Sequence, residues 1–183
     1  MDKIQLKDKC FVPYIKYEQI QEAIDKVADK INADFKAKHL EEPPIVLCVL
    51  NGSIMFTAEL MKRLDFTLEL SSIRLASYEG TTSTGVTRRI LGLTTAIKNR
   101  TVIVVEDIVD TGKTIVDLHD ILIEAGAADV VICTMLLKPE VYRKSLKLDY
   151  VAMEIENKFI VGFGLDYDQL GRNFKDIYKL DRQ

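Results

Sequence analysis

Asp110-Thr111-Gly112-Lys113-Thr114 holds the densest chemistry in this chain. Gly112 lets the backbone come close to a ligand. The N–H groups of Thr111 to Thr114 would point, unsatisfied, out of a helix start. With the hydroxyls of Thr111 and Thr114 they make a cup for a dianionic phosphate. A phosphate there gains several charge-assisted hydrogen bonds of roughly 1.5–3 kcal/mol each. Glu106 and Asp107 lie just upstream, and their carboxylates can only accept hydrogen bonds. That suits the vicinal hydroxyls of a ribose, or a metal ion bridging to them. Asp110 lies between these stations, placed to exchange a proton with whatever is attached to the sugar.

Two other readings of the same residues are weaker. Gly112-Lys113-Thr114 matches the second half of a nucleoside-triphosphate P-loop. The first half requires a glycine at position 107, which is Asp107, and carboxylates do not belong where phosphates lie. A helix cap at Asp110 or Thr111 is common, but a cap needs neither two acids nor a glycine at this spacing.

The elements that must position these groups follow from patterning. Thr101 to Val105 is β-branched, short and apolar on both faces, a central strand that stops at Glu106-Asp107. A helix from about Ile115 to Glu124 follows. Ligands of open α/β sheets bind at such a strand–loop–helix junction. Ile45 to Leu50 is a second central strand, and Asn51-Gly52-Ser53 turns it into a helix from Ile54 to about Leu64. That loop is either another anion site or a plain turn. Tyr17 to about His39 reads as an amphipathic helix, with Ile20, Ile24, Val27, Ile31 and Phe35 on one stripe. Further strands are expected at 66–77, 88–93, 130–137, 150–155 and 159–163. Tyr78 to Thr87 is polar, contains two glycines and lacks periodicity, as lids and flexible segments do. Residues 1–16 read as an irregular or extended arm, and Asp166 opens a polar tail. The expected fold class is α/β: a mostly parallel twisted sheet flanked by helices, with a small hood. One domain is expected, its core at about 17–140 and its hood from about 1–16 and 150–183.

Composition agrees. The chain has 183 residues, 48% hydrophobic and 29% charged, so disorder is not expected. No apolar run is long enough to cross a membrane, and the N-terminus lacks the apolar core of a signal peptide. Three cysteines without metal spacing point to a reducing cytoplasm. A net charge of −3 argues against a nucleic-acid partner.

Val104-Val-Glu-Asp-Ile-Val-Asp-Thr-Gly-Lys-Thr114 resembles the ribose-phosphate motif of the type I phosphoribosyltransferases at every position. Leu47-Cys-Val-Leu-Asn-Gly52, Leu136-Leu-Lys-Pro139 and Asn157-Lys-Phe-Ile-Val-Gly-Phe-Gly-Leu-Asp-Tyr167 are similar to the 6-oxopurine salvage branch, the hypoxanthine (hypoxanthine-guanine) phosphoribosyltransferases. The similarity runs in order from about Val12 to Lys175. It implies transfer of the 5-phosphoribosyl group of phosphoribosyl pyrophosphate (PRPP) to N9 of hypoxanthine or guanine, with Mg²⁺, giving the nucleoside monophosphate and pyrophosphate. It implies that Asp110 to Thr114 hold the 5′-phosphate and that Asp110 is the acid or base at purine N7. Glu106 and Asp107 would hold the ribose hydroxyls, directly or through Mg²⁺. Lys138 would donate to the 6-oxo group, Phe159 would stack on the ring, and the backbone of Ile160 would read its edge, with Ile108 alongside. Asp166 would bind a pyrophosphate-side Mg²⁺ at the purine end of the site, and Arg172 would contact pyrophosphate. Ser77 and Tyr78 would begin a closing loop. Leu50, Asn51 and Gly52 would form the pyrophosphate loop, whose entering peptide can be cis in the family. Asn51 stands where the family commonly has a basic residue, so weaker pyrophosphate binding is expected. The family's dimers and tetramers imply a homo-oligomer. A regulator that keeps the phosphate loop is the alternative, and it is disfavoured because Asp110, Lys138, Phe159, Asp166 and Arg172 are all present.

Overall fold

The computed structural model describes residues 2–38, 40–78, 87–91, 93 and 95–181. Chain order gives β1 (Ile4–Leu6), β2 (Lys9–Ile15), α1 (Tyr17–Lys36), β3 (Ile45–Leu50), α2 (Ile54–Met61), β4 (Glu69–Tyr78) and β5 (Thr87–Leu91). Then follow β6 (Thr101–Val109), α3 (Lys113–Glu124), β7 (Asp129–Leu137), β8 (Tyr150–Glu154), β9 (Ile160–Val161) and β10 (Ile177–Leu180).

Six strands form the main sheet in the order β5-β4-β3-β6-β7-β8. Every pairing from β4 to β8 is parallel, and only β5 runs antiparallel at the edge. From β3 the chain moves to β4 on one side; β6 then returns to the other side of β3. The carboxyl ends of β3 and β6 therefore adjoin where the winding reverses, which is where open sheets leave a crevice.

Alternation along the central strands builds two cores. On one face, Val46, Ile103, Val105 and Cys133 meet Ile24, Val27 and Ile31 of α1 and Phe56 and Leu60 of α2. On the other, Leu47, Val102, Val104 and Ile132 meet Ile115, Leu118 and Leu122 of α3. Each fully buried Val, Leu or Ile contributes roughly 1.5–3 kcal/mol. Val102 to Val105 alone thus outweigh the roughly 1–3 kcal/mol cost of one buried, unsatisfied polar group at the end of their strand.

Several expectations are corrected. Of the two readings of the N-terminal arm the extended one holds: β1 and β2 pair antiparallel and join β10 and β9 in a four-stranded hood sheet. The hood does not begin at 150, because β8 pairs parallel with β7 in the main sheet. The tail holds a strand, β10, which four residues were too few to signal. Nor does the organising strand stop at Glu106: pairing with β7 carries β6 through Ile108 and Val109. Helices α1 and α2 end three residues short of the expected boundaries, and His39 and most of the 78–87 segment lie outside the described residues. The hood is tied to the core at the start of α1, where the Tyr17 N–H donates to Asp176 Oδ1 at 2.7 Å.

Candidate active site

Gly112 caps α3 at its N-terminus with φ +81°, and no side chain caps the helix there. A left-handed φ favours glycine. The first-turn N–H groups face a cavity of about 90 Å³ whose walls are Glu106, Ile108 and the run Val109 to Ile115. Uncapped N–H groups around a space of that size form an anion site.

Glu106, Ile108 and Asp110 line the cavity, whereas Asp107, which follows Glu106 on β6 and alternates with it, does not. The two acids expected side by side thus serve opposite faces. Oε2 of Glu106 is buried and has no hydrogen-bond partner among the described residues. Burial first, then the neighbouring charge of Asp107, raises its pKa well above the ordinary carboxylate value. Asp107 is pushed up to about 6 by burial, against the opposing hydrogen bond from the Ile108 N–H and the charge of Arg172. That N–H donates to Asp107 Oδ1 at 2.8 Å.

Asp107 lies against Gly52, where an added Cβ would sit 1.6 Å from its Oδ2. The Leu50–Asn51 peptide entering this loop is cis. Gly52 in turn touches the hood: a Cβ on Gly164 (φ +97°) would lie 2.0 Å from the Gly52 carbonyl oxygen. Arg172 donates to the Gly164 carbonyl at 2.8 Å and pairs with Asp166 Oδ1 at 2.6 Å. The Gln169 N–H holds the other oxygen of Asp166 at 2.8 Å. Asp107, Gly52, Gly164, Arg172 and Asp166 therefore form one column from sheet to hood. Gly164 is the member that sequence reading missed; the Gly162-Phe163-Gly164 spacing was the available signal.

Lys138 is buried at the end of β7, and its Nζ pairs with Asp110 Oδ2 at 3.0 Å. Its backbone N–H donates to the Val109 carbonyl at 3.0 Å. The structure therefore brings Lys138 and Asp110 together. Phe159 stands apart from the Asp110 cavity. It is half-exposed beside Val12, Lys158 and Lys179, with its ring edge-on to Tyr167 at 5.9 Å and tilted against Phe11 at 6.1 Å. Ile160 is buried in β9. Ser77 and Tyr78 end β4, paired in register with Arg88 and Thr87.

This geometry agrees with what the chain resembles. Residues 16–168 match the phosphoribosyl transferase domain family. A hypoxanthine-guanine phosphoribosyltransferase of Streptococcus pneumoniae (strain ATCC BAA-255 / R6) is 40% identical over 164 residues, 89% of each chain. One of Lactococcus lactis subsp. lactis (strain IL1403) is 41% identical over 157 residues, 85% of this chain and 83% of that one. The solved structure of Trypanosoma cruzi hypoxanthine phosphoribosyl transferase, from work on how its C-terminal region affects oligomeric state and enzymatic activity, superposes with TM-score 0.84. It shares 31% identity and covers 97% of this chain and 95% of that one. The chain belongs to the phosphoribosyl transferase family. It is an enzyme, a glycosyltransferase that moves a ribose phosphate.

Proposed function

We propose that this enzyme transfers the 5-phosphoribosyl group of PRPP to N9 of hypoxanthine, and of guanine, releasing pyrophosphate. The observation that carries the reading is the meeting of a phosphate-sized, N–H-lined cavity with the Asp110–Lys138 pair at its edge. The relatives named above supply the 6-oxopurine class.

Thr111 to Thr114 and the first-turn N–H groups of α3 hold the 5′-phosphate and fix the ribose beyond it. The bond from C1′ to pyrophosphate breaks and the C1′–N9 bond forms, while C1′ carries positive charge. Asp110 accepts the purine proton at N7 as the C1′–N9 bond forms. Lys138 donates to the 6-oxo group. An ammonium cannot accept a hydrogen bond, so the amino group of adenine is rejected. Ile108 borders the base from the cavity wall, and Phe159 and the backbone of Ile160, which lie outside that cavity, meet the base from the hood side. Arg172 and the N–H groups of Leu50 to Gly52 receive pyrophosphate.

Mg²⁺ suits the donors present: hard carboxylate oxygens on Glu106, Asp107 and Asp166, one of them buried without a partner. Among the described residues no three such side chains form a ready metal cage. Mg²⁺ held by one or two carboxylates and substrate phosphates needs none. Bound there, the ion neutralises charge on the leaving group. We also assign a homodimer or homotetramer, and a cytoplasmic location, to the working enzyme. No described helix is long and apolar enough to cross a membrane.

The test is a spectrophotometric assay with PRPP and Mg²⁺, offering hypoxanthine, guanine, xanthine and adenine separately. Turnover of hypoxanthine, and none of adenine, is expected. PRPP binding without turnover of any base would overturn the reading and leave a phosphate-binding protein.

A further inference from the structure

Residues 138–147 carry Lys138, Arg143, Lys144 and Lys147, and the structure folds this basic segment onto the phosphate cup. Val141 and Tyr142 donate their N–H groups to the Lys138 carbonyl at 3.2 and 3.1 Å. This tight turn swings the Tyr142 ring back over Gly112. A Cβ added to Gly112 would lie 2.4 Å from Tyr142 Cε2 and 2.8 Å from Cδ2. The ring thus occupies the space that any other residue's Cβ would need. Tyr142 is not part of the cavity wall, which Gly112 itself supplies, so the ring backs the loop from outside.

The ring is itself held. Its hydroxyl donates to the Leu146 carbonyl, and Tyr142, Leu146 and Leu148 pack on the same core as Ile115 and Leu118 of α3. Burial raises the phenol's pKa, so the hydroxyl stays a donor at neutral pH. Gly112 has no comparable restraint of its own. It lacks a side chain, no side chain caps the helix start, and its carbonyl accepts from the Val116 N–H at 3.1 Å. A glycine so placed can leave the left-handed region at little cost. Doing so would turn the Lys113 and Thr114 N–H groups away from the cavity.

We propose that Tyr142 is a positioning residue for the phosphate cup: its ring edge, packed on Gly112, fixes the helix-start N–H groups toward the 5′-phosphate of the substrate. The same turn begins at Lys138, so the backbone that presents the ammonium also carries the brace for the cup. This inference rests on the reading of 110–114 as the phosphate site.

The experiment compares wild type with Tyr142→Ala, Tyr142→Leu and Tyr142→Phe. It measures KM for PRPP, KM for hypoxanthine, kcat, PRPP affinity by calorimetry, and thermal unfolding. Tyr142→Phe keeps the ring edge and loses only the bond to Leu146, so it should stay within about threefold of wild type. Tyr142→Ala should weaken PRPP about ten- to thirtyfold, the equivalent of roughly one charge-assisted hydrogen bond. Its KM for hypoxanthine should move less than about threefold. Tyr142→Leu restores bulk without the flat edge; should the alanine variant not fold, it carries the test and should show the same split. Equal losses for both substrates, or an alanine or leucine variant with normal PRPP affinity, would overturn the proposal. Failure of wild type to bind PRPP would instead remove the phosphate site, and Tyr142's role with it.

Discussion

Asp110 and Lys138 lie 28 residues apart in sequence and 3.0 Å apart in space. In the free enzyme the ammonium proposed to read the base is thus occupied by the carboxylate proposed to take its proton. An entering 6-oxo group would compete with Asp110 for the Lys138 ammonium. Asp110→Asn retains the shape and the phosphate loop but cannot take a proton. It should bind PRPP normally and lose roughly 10²–10⁴ in kcat; an Asn variant with near-normal turnover would remove Asp110 as acid or base. Lys138→Ala should raise KM for hypoxanthine far more than KM for PRPP. Equal effects on both substrates would mean that Lys138 does not read the base.

The strand–loop–helix unit of β6 and α3 was legible because its chemistry is local: Glu106 to Thr114 are nine consecutive residues with their own periodicity change. The contact between Gly52 and the hood was not legible, because it is made of backbone. Gly52 and Gly164 meet through a carbonyl oxygen and a missing Cβ, and neither leaves a side-chain pattern. Tyr142 was hidden for a related reason: nothing in Val141-Tyr-Arg-Lys144 says which way a tight turn will swing its ring. Gly164→Ala tests the hood–core contact. The new Cβ would meet the Gly52 carbonyl at 2.0 Å at a φ of +97° that alanine disfavours. The hood must shift, and Arg172 shifts with it. Unfolding measurements should show a loss of roughly 2–4 kcal/mol, and kcat/KM for PRPP should fall at least about tenfold. A variant with unchanged melting and kinetics would mean that the hood does not position the pyrophosphate side.

The whole molecule concentrates its least comfortable charges at the place where the two sheets meet. Glu106 and Asp107 sit half-buried at the end of a hydrophobic strand, and desolvation makes both hold their protons more tightly than exposed carboxyls do. This fixes how stability varies with pH. An unfolded Asp titrates near 3.9, while folded Asp107 titrates near 6. Between these values the folded state binds more protons than the unfolded one, so stability falls as pH rises. The loss is complete once pH passes the folded value, and for Asp107 it is on the order of 2–3 kcal/mol; Glu106 acts in the same direction. Asp8 and Glu59 have lowered values, so their stabilising effect is lost as pH falls below their ordinary values of 3.8 and 4.5, outside the range from pH 5 to 7. Ligand-free enzyme unfolded in urea should therefore be less stable at pH 7 than at pH 5. Asp107→Asn should flatten that slope, and saturating PRPP with Mg²⁺ should restore stability at pH 7 by giving the ionised acids partners. A wild-type profile that rises from pH 5 to 7, or an Asn variant with the same slope, would mean that these carboxyls are already satisfied in solution. A falling wild-type profile would mean instead that the fold bears, in the free enzyme, two carboxylates whose ionisation it does not fully compensate.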